Sequence, residues 1–275
     1  MSARRFAFSN IAWAPHDDPG VLDLLRARGI TGIEVAPTTV WPNWIGCEPV
    51  AAARYRAVLR ELGFEIPAMQ ALLYSRPEAR LFDDAGEVEL VRHLEHVAGI
   101  AGALGARVAV LGAPRQRDRG SRTWDEALAR AVPVLRRAAE RFADHGSILC
   151  IEPNPRRYGC NFVCTAREGA ELVNAVDHAG FGLHLDAAGL FLEGEELREL
   201  LPDLRGMLRH FHVSEPELGD FRTPLAPHLD NLRCLDEVAF EGWCSVEMRR
   251  PAIPLASAGP WGLLAAAREG KAAHG

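Results

Sequence analysis

Eight times along the chain a short apolar run gives way to a longer amphipathic stretch, and this alternation constrains the fold more than anything else in the sequence. The runs are "RFAFSNIAW", "GIEVAP", "IPAMQALLY", "RVAVLG", "ILCIEPN", "FGLHLDAAG", "LRHFHVSEP" and "WCSVEM". Each is short and rich in branched or aromatic residues, which favours strand. Between them lie helical patterns, among them "PGVLDLLRARG", "PVAAARYRAVLRELG", "EVELVRHLEHVAGIAGALG", "TWDEALARAVPVLRRAAERFADHG", "TAREGAELVNAVDHAG", "GEELRELLPDLRGM" and "PHLDNLRCLDEVAFEG". Several end in glycine, as a left-handed C-terminal cap requires. Thr123 and Thr165 stand where N-caps belong. Strands that alternate with helices pair in parallel, and eight such units within 275 residues predict a single (β/α)₈ barrel. A doubly wound sheet is the alternative, but no glycine-rich phosphate loop follows the first run. No linker or shift in composition divides the chain. One domain is therefore expected over residues 1–275, with a frayed tail after about residue 266.

Composition excludes several classes of function. The net charge of −6 argues against a nucleic-acid partner, which demands a basic face. The amino terminus has no long apolar stretch before a cleavage site. The longest apolar passage, "VAGIAGALGARVAVLGA", is interrupted by Arg107 and falls short of the ~20 residues that cross a bilayer. A soluble cytoplasmic protein with no membrane partner is expected, and self-association is left open. Six cysteines show no C-x-x-C spacing, so reduced and mostly buried thiols are expected rather than a zinc ribbon or redox pair. The only lysine is Lys271, near the carboxyl end. Schiff-base aldolases and P-loop enzymes each need a lysine in the site, so chemistry here must come from carboxylates, imidazoles or a bound ion.

In an α/β barrel the site lies at the carboxyl ends of the strands. The last four strands end there with Glu152 in "CIEPN", Asp186 in "LHLDAAG", His212 in "FHVSEP" and Glu247 in "SVEMRR". A single such carboxylate could merely cap the next helix or pair with an arginine. Four polar groups on consecutive strands are harder to explain that way. Three oxygen donors with one nitrogen suit a hard or borderline divalent ion: Mn²⁺ first, with Mg²⁺, Co²⁺ or Zn²⁺ as alternatives. Strand alternation places His184 and His210 on the same face as Asp186 and His212 but one layer deeper, with Cys150 and Ser245 beside them. Those positions read as supporting or filling groups, and Glu215 as a loop residue that is a further candidate to support His212 through a hydrogen bond. Glu34, Gln70 and Asn154 end earlier strands or flank the acids and are candidates to hold substrate hydroxyls. Trp13 and Trp41 are candidate apolar walls, and Arg117 in "GAPRQRDR" is a candidate grip for a phosphate or carboxylate. His184 is a further candidate for substrate contact, His228 a remoter one, and Arg156, Arg222 and Arg249 are weaker counterparts of Arg117.

The motifs "IEPNP", "GLHLDAAG", "HFHVSEP" and "SVEMR", in that order, resemble the sugar phosphate isomerase/epimerase superfamily, the xylose-isomerase-like TIM-barrel group. The resemblance extends over the chain through "FSNIAW", "GIEVAPT" and "GAPRQR". It implies that Glu152, Asp186, His212 and Glu247 are metal ligands, and that Glu152 and Glu247 also act as acid and base on opposite faces of a carbohydrate. A metal-stabilised enediolate would then be reprotonated to give epimerisation or isomerisation. Loss of a β-hydroxyl would instead make the chain a dehydratase or tailoring lyase on a keto-sugar, glycoside or inosose. The ketose 3-epimerases of the group carry a substrate histidine, an arginine and a second glutamate where this chain has Gly189, Leu218 and Tyr158. The metal site is expected to carry over, and the free-ketohexose pocket is not. A nuclease of the endonuclease IV type needs several early histidines, yet only His16 precedes residue 93.

Overall fold

The structure, a computed structural model, describes residues 4–204 and 206–272. Eight parallel strands are hydrogen-bonded in the order β2-β1-β8-β7-β6-β5-β4-β3. They are β1 (Phe6–Ser9), β2 (Gly32–Glu34), β3 (Ala68–Met69), β4 (Val108–Leu111), β5 (Ile148–Ile151), β6 (Phe181–Asp186), β7 (Leu208–Ser214) and β8 (Trp243–Glu247). Each falls inside one of the eight apolar runs, and the (β/α)₈ barrel follows. Its seam lies between β2 and β3, where isolated bridges join Gly32 to Glu65 and Val35 to Met69. Backbone bonds from Ile33 N to Glu65 O (2.9 Å), Val35 N to Ala68 O (3.0 Å) and Gln70 N to Val35 O (3.0 Å) complete the closure.

The outer layer is helical: α1 (Asp18–Ala27), α2 (Pro37–Val40), α3 (Pro49–Glu61), α4 (Asp84–Leu104), α5 (Trp124–Asp144), α6 (Ala166–Val176), α7 (Ala187–Glu193), α8 (Leu197–Leu204), α9 (His228–Glu237), α10 (Leu255–Ala258) and α11 (Trp261–Ala272). Thr123 caps α5 in a reciprocal box with Glu126, and Thr165 accepts from Glu168 N at 3.2 Å to start α6. The α4 helix ends on Gly105 at φ 71°, the left-handed turn anticipated there. The last helix is assigned to Ala272, and the end of the tail expected after about residue 266, residues 273–275, lies outside the described residues.

The main core lies between sheet and helices, where Leu94, Val97, Ile100 and Phe142 meet β-strand residues such as Leu149 and Leu183. Truncating one of these leucines to alanine would cost about 2–5 kcal/mol through lost burial and the cavity left behind. Inside the barrel sits a second, smaller apolar cluster of Ala68, Val108, Val110 and Cys150. The β6 and β7 side of the barrel interior is filled with imidazoles instead. All six cysteines are buried and unbridged. Among the described residues no helix is long and apolar enough to cross a membrane.

Candidate metal centre

Pairing fixes which side chains share a level. Asp186 of β6 is in register with His212 of β7, and His184 with His210. On the other side His212 is in register with Ser245, and it is Ser214 that faces Glu247. Glu247 therefore stands one dipeptide further along than a flat reading of the strand ends implied. The stagger of a tilted barrel brings it back: His212 Nδ1 lies 3.2 Å from Glu247 Oε2 and 3.9 Å from Asp186 Oδ2.

Three overlapping sets of donor atoms result, each with members within 4.8 Å of one another. They are Asp186, His212 and Glu247; Glu152, His184 and His212; and Glu34, His210 and His212. The four residues expected to bind an ion thus come together around His212. The imidazole is held from behind, because its Nε2 is 3.0 Å from Glu34 Oε2 and 3.1 Å from Oε1. That contact assigns a proton to Nε2, while Nδ1, buried and without a hydrogen bond of ordinary geometry, is aimed between the carboxylates. Against the cost of burial, Glu34 and then Glu247 hold the His212 pKa well above its ordinary value. Burial likewise opposes ionisation of Glu34, yet His212 and His210 hold its carboxyl well below the usual range.

The acids crowd one another. Burial, then the Glu247 and Asp186 carboxylates, push Glu152 up to about 8 against the pull of His212 and Arg117. Asp186 is raised by burial and by Glu247. Three carboxylates against one nitrogen, with an orphaned Nδ1 among them, form a donor set that a divalent cation fits, since its charge offsets the repulsion. Asp186 also does what a strand-end acid does anywhere. Its Oδ1 accepts from Gly189 N (2.6 Å) to cap α7, and its Oδ2 accepts from Ser214 Oγ.

Glu152 and Glu247 line one cavity with Gln70, Gly112 and Gln116, and none of its described lining residues is a cation. Gln70 donates from Nε2 to Ser9 Oγ at 2.9 Å and keeps a buried, unpartnered Oε1. Ala71 and Ala113, also in the lining, take left-handed φ of 56° and 55°, a strain that costs about 1 kcal/mol or more each. At Gly112 a Cβ would sit 2.4 Å from Glu152 Oε2, so only glycine lets the carboxylate approach that strand end.

Other expected contacts are arranged differently. Arg117 is buried, and its guanidinium donates to Gly112 O (2.6 Å), Leu111 O and Val163 O (both 3.3 Å) and Asn154 Oδ1 (2.9 Å). It is spent on the scaffold rather than free for a substrate anion, and it occupies Asn154. Glu34 has no exposed surface, so it positions His212 rather than meeting a ligand. Trp13 is packed beside Phe8 with its Nε1–H donated to Asp18, and Trp41 is set edge-on to Tyr55. Glu215 turns away from His212. It accepts from Leu225 N (2.8 Å) and Ala226 N (3.3 Å) and pairs with buried His228, latching the loop before α9. Arg156, Arg222 and Arg249 are engaged by Glu193, Asp220 and the carbonyl of Glu217. His184 is fully buried, edge-on to His212 at 4.1 Å between ring centroids. Neither of its ring nitrogens makes a hydrogen bond of ordinary geometry, and burial followed by His212 and His210 holds its pKa far below normal. His210 stands 3.4 Å from Glu34, one level below His212 on β7. Ser214 and Gly112 were not anticipated. Alternation does place Ser214 on the face of His212, whereas the close approach at Gly112 leaves no trace in the residue pattern.

The family described as xylose isomerase-like TIM barrel matches residues 22–270. No curated protein matches the chain in sequence. Among solved structures, a 3-keto-D-glucoside 4-epimerase from E. coli superposes with a TM-score of 0.77 at 17% identity, covering 97% of this chain and 99% of that one. An L-ribulose 3-epimerase gives 0.78 at 17%, over 99% and 98%. A D-psicose 3-epimerase from Clostridium cellulolyticum H10, with D-tagatose, gives 0.74 at 16%, over 92% and 88%. At such identities the likeness is one of fold.

Proposed function

We propose a function on one premise: the chain belongs to the xylose isomerase-like TIM barrel family. On that footing it is a divalent-cation-dependent isomerase or epimerase of a neutral carbohydrate. Glu152, Asp186, His212 and Glu247 hold the cation, of which Mn²⁺ suits the donors best. The observation that carries this reading is the convergence of Asp186, His212 and Glu247 donor atoms within 4.8 Å, at a cavity that Glu152 also lines. That the three superposed enzymes are named as sugar epimerases supports it.

When bound, the cation supplies Lewis acidity to a hydroxyl and a neighbouring carbonyl, which makes the hydrogen on the carbinol carbon labile. The protein's own groups do the rest. A carboxylate oxygen of Glu152 takes that proton, and Glu247 returns one from the other face, a division of labour that inverts the centre. Return to the adjacent carbon would interconvert aldose and ketose. Glu34 fixes the tautomer and orientation of His212. The Gln70 Oε1, buried and unpartnered, accepts from a substrate hydroxyl. With no cation among its described lining residues and Arg117 committed to the scaffold, the cavity favours a substrate without a phosphate.

The test is proton exchange. Protein loaded with Mn²⁺ is incubated in D₂O with a panel of neutral ketoses, keto-glycosides and inososes. Deuterium is expected beside the carbonyl of one of them. A preparation that binds no divalent ion, or exchange that survives Glu152→Gln together with Glu247→Gln, refutes the assignment.

A further inference from the structure

The opposite end of the barrel carries a cavity of about 560 Å³. The strand residues in its lining lie at or near strand starts rather than strand ends. Arg5 precedes β1, Arg107 precedes β4, Arg209 is the second residue of β7, and Trp243 opens β8. Three guanidiniums therefore face one concavity, with Glu241 as the one acid in its described lining. None of the three forms an ion pair among the described residues. Arg5 donates to the carbonyl of Glu241 at 2.6 Å, and its guanidinium lies over the Trp243 ring at 4.9 Å. Arg107 and Arg209 are exposed. On a chain with a net charge of −6, three arginines left without carboxylates in one hollow are a local reversal of sign. Val108, Ile148, Leu208 and Trp243 give the hollow an apolar wall. A concavity of this size, with one apolar wall and a few convergent charges, matches what small polar ligands occupy.

We propose that this amino-terminal mouth binds a small organic phosphate. Its dianionic head sits among Arg5, Arg107 and Arg209, and its apolar body lies against Trp243 and Ile148. Guanidiniums grip phosphate oxygens in pairs, and two or three of them match a dianion better than a monoanion. The site is separate from the metal centre, because the barrel interior, with His210 and the Val108–Val110–Cys150 cluster, fills the space between. It stands whether or not the proposed carbohydrate chemistry is right.

Phenyl phosphate is the probe, titrated calorimetrically into the full chain, with inorganic phosphate and benzoate as comparators. Saturable binding is expected, at least about tenfold tighter than either comparator. Arg107→Gln combined with Arg209→Gln should weaken it by more than about tenfold. Arg92→Gln, on the exposed face of α4 and paired with Glu89, should leave it unchanged. Thermal unfolding checks that both variants fold. Absence of saturable binding, affinity untouched in the double variant, equal loss in Arg92→Gln, or comparators that bind as tightly would each overturn the proposal.

Discussion

The two mouths of this barrel are built from the same strands and are opposite in character. At the carboxyl end, Glu152, Asp186 and Glu247 crowd around His212, buried or half-buried and held by named partners. At the amino end, Arg5, Arg107 and Arg209 stand exposed around an open hollow. Connections explain part of the contrast. At the carboxyl end they run over residues 112–123, 152–165 and 215–227. At the amino end, residues 145–147 and 177–180 suffice. Long connections wall in the side chains at strand ends and give them second partners, as Arg117 does for Asn154. Short ones leave strand starts open to water. A charge at the carboxyl mouth is thus fixed in place and destabilised by its neighbours, while at the amino mouth Arg107 and Arg209 form no ion pair among the described residues.

The comparison can be broken at either end. The largest effect should come from Glu152→Gln with Glu247→Gln, which is expected to lower deuterium exchange by about 10²–10⁴-fold while the fold survives. Next is Glu34→Gln. Removing the charge behind His212 should weaken Mn²⁺ binding by about 10–100-fold in a direct titration. If affinity is unchanged, the buried carboxylate does not organise the mouth. Gly112→Ala places a methyl where the Glu152 carboxylate sits and displaces that carboxylate, so it should lower exchange activity well beyond its cost in urea unfolding, about 1 kcal/mol.

A gentler probe is acid. His93 donates from Nε2 to Leu72 O (2.8 Å) beneath the wall of the carboxyl mouth, and burial lowers its pKa to about 4. The unfolded chain takes up that proton near pH 6.5 and the folded one does not. His93 therefore leaves stability intact above about pH 6.5 and withdraws it as pH falls toward 4. His93→Gln should flatten the unfolding midpoint over that window, and a profile identical to wild type would remove His93 from the account. The smallest effect belongs to the amino mouth. Without ligand, Arg107→Gln with Arg209→Gln should shift stability by no more than about 0.5 kcal/mol, since both are exposed and neither forms an ion pair among the described residues.

Much of this was legible in the residue order. Every strand lies within a predicted run because short apolar segments bounded by turn residues have few other uses in a chain that alternates so regularly. The α7 helix was missed: "AAGLFLE" follows β6 without a break, and its start is set by Asp186, a residue whose cap and ligand readings look alike in sequence. Period-two alternation separated the level of His212 from that of His210. It could not choose partners, which depend on what packing brings across the barrel. Glu34 and Glu215 are both acids near a histidine, yet one supports His212 while the other latches a distant loop to His228. Arg117 looked like a free cation because its partners, the Leu111 and Gly112 carbonyls, the Val163 carbonyl and the Asn154 side chain, come from two separate segments.

The seam between β2 and β3 has a further consequence. Any interruption in a sheet is a pair of edges, and unpaired edges recruit strands from other molecules. Here the flanking strands have three and two residues, and the carbonyls of Glu65, Ala68 and Val35 are already taken across the gap. A template that short and that well occupied offers an intruding strand almost nothing to copy. The barrel's weakest ladder is therefore also its protection against aggregation.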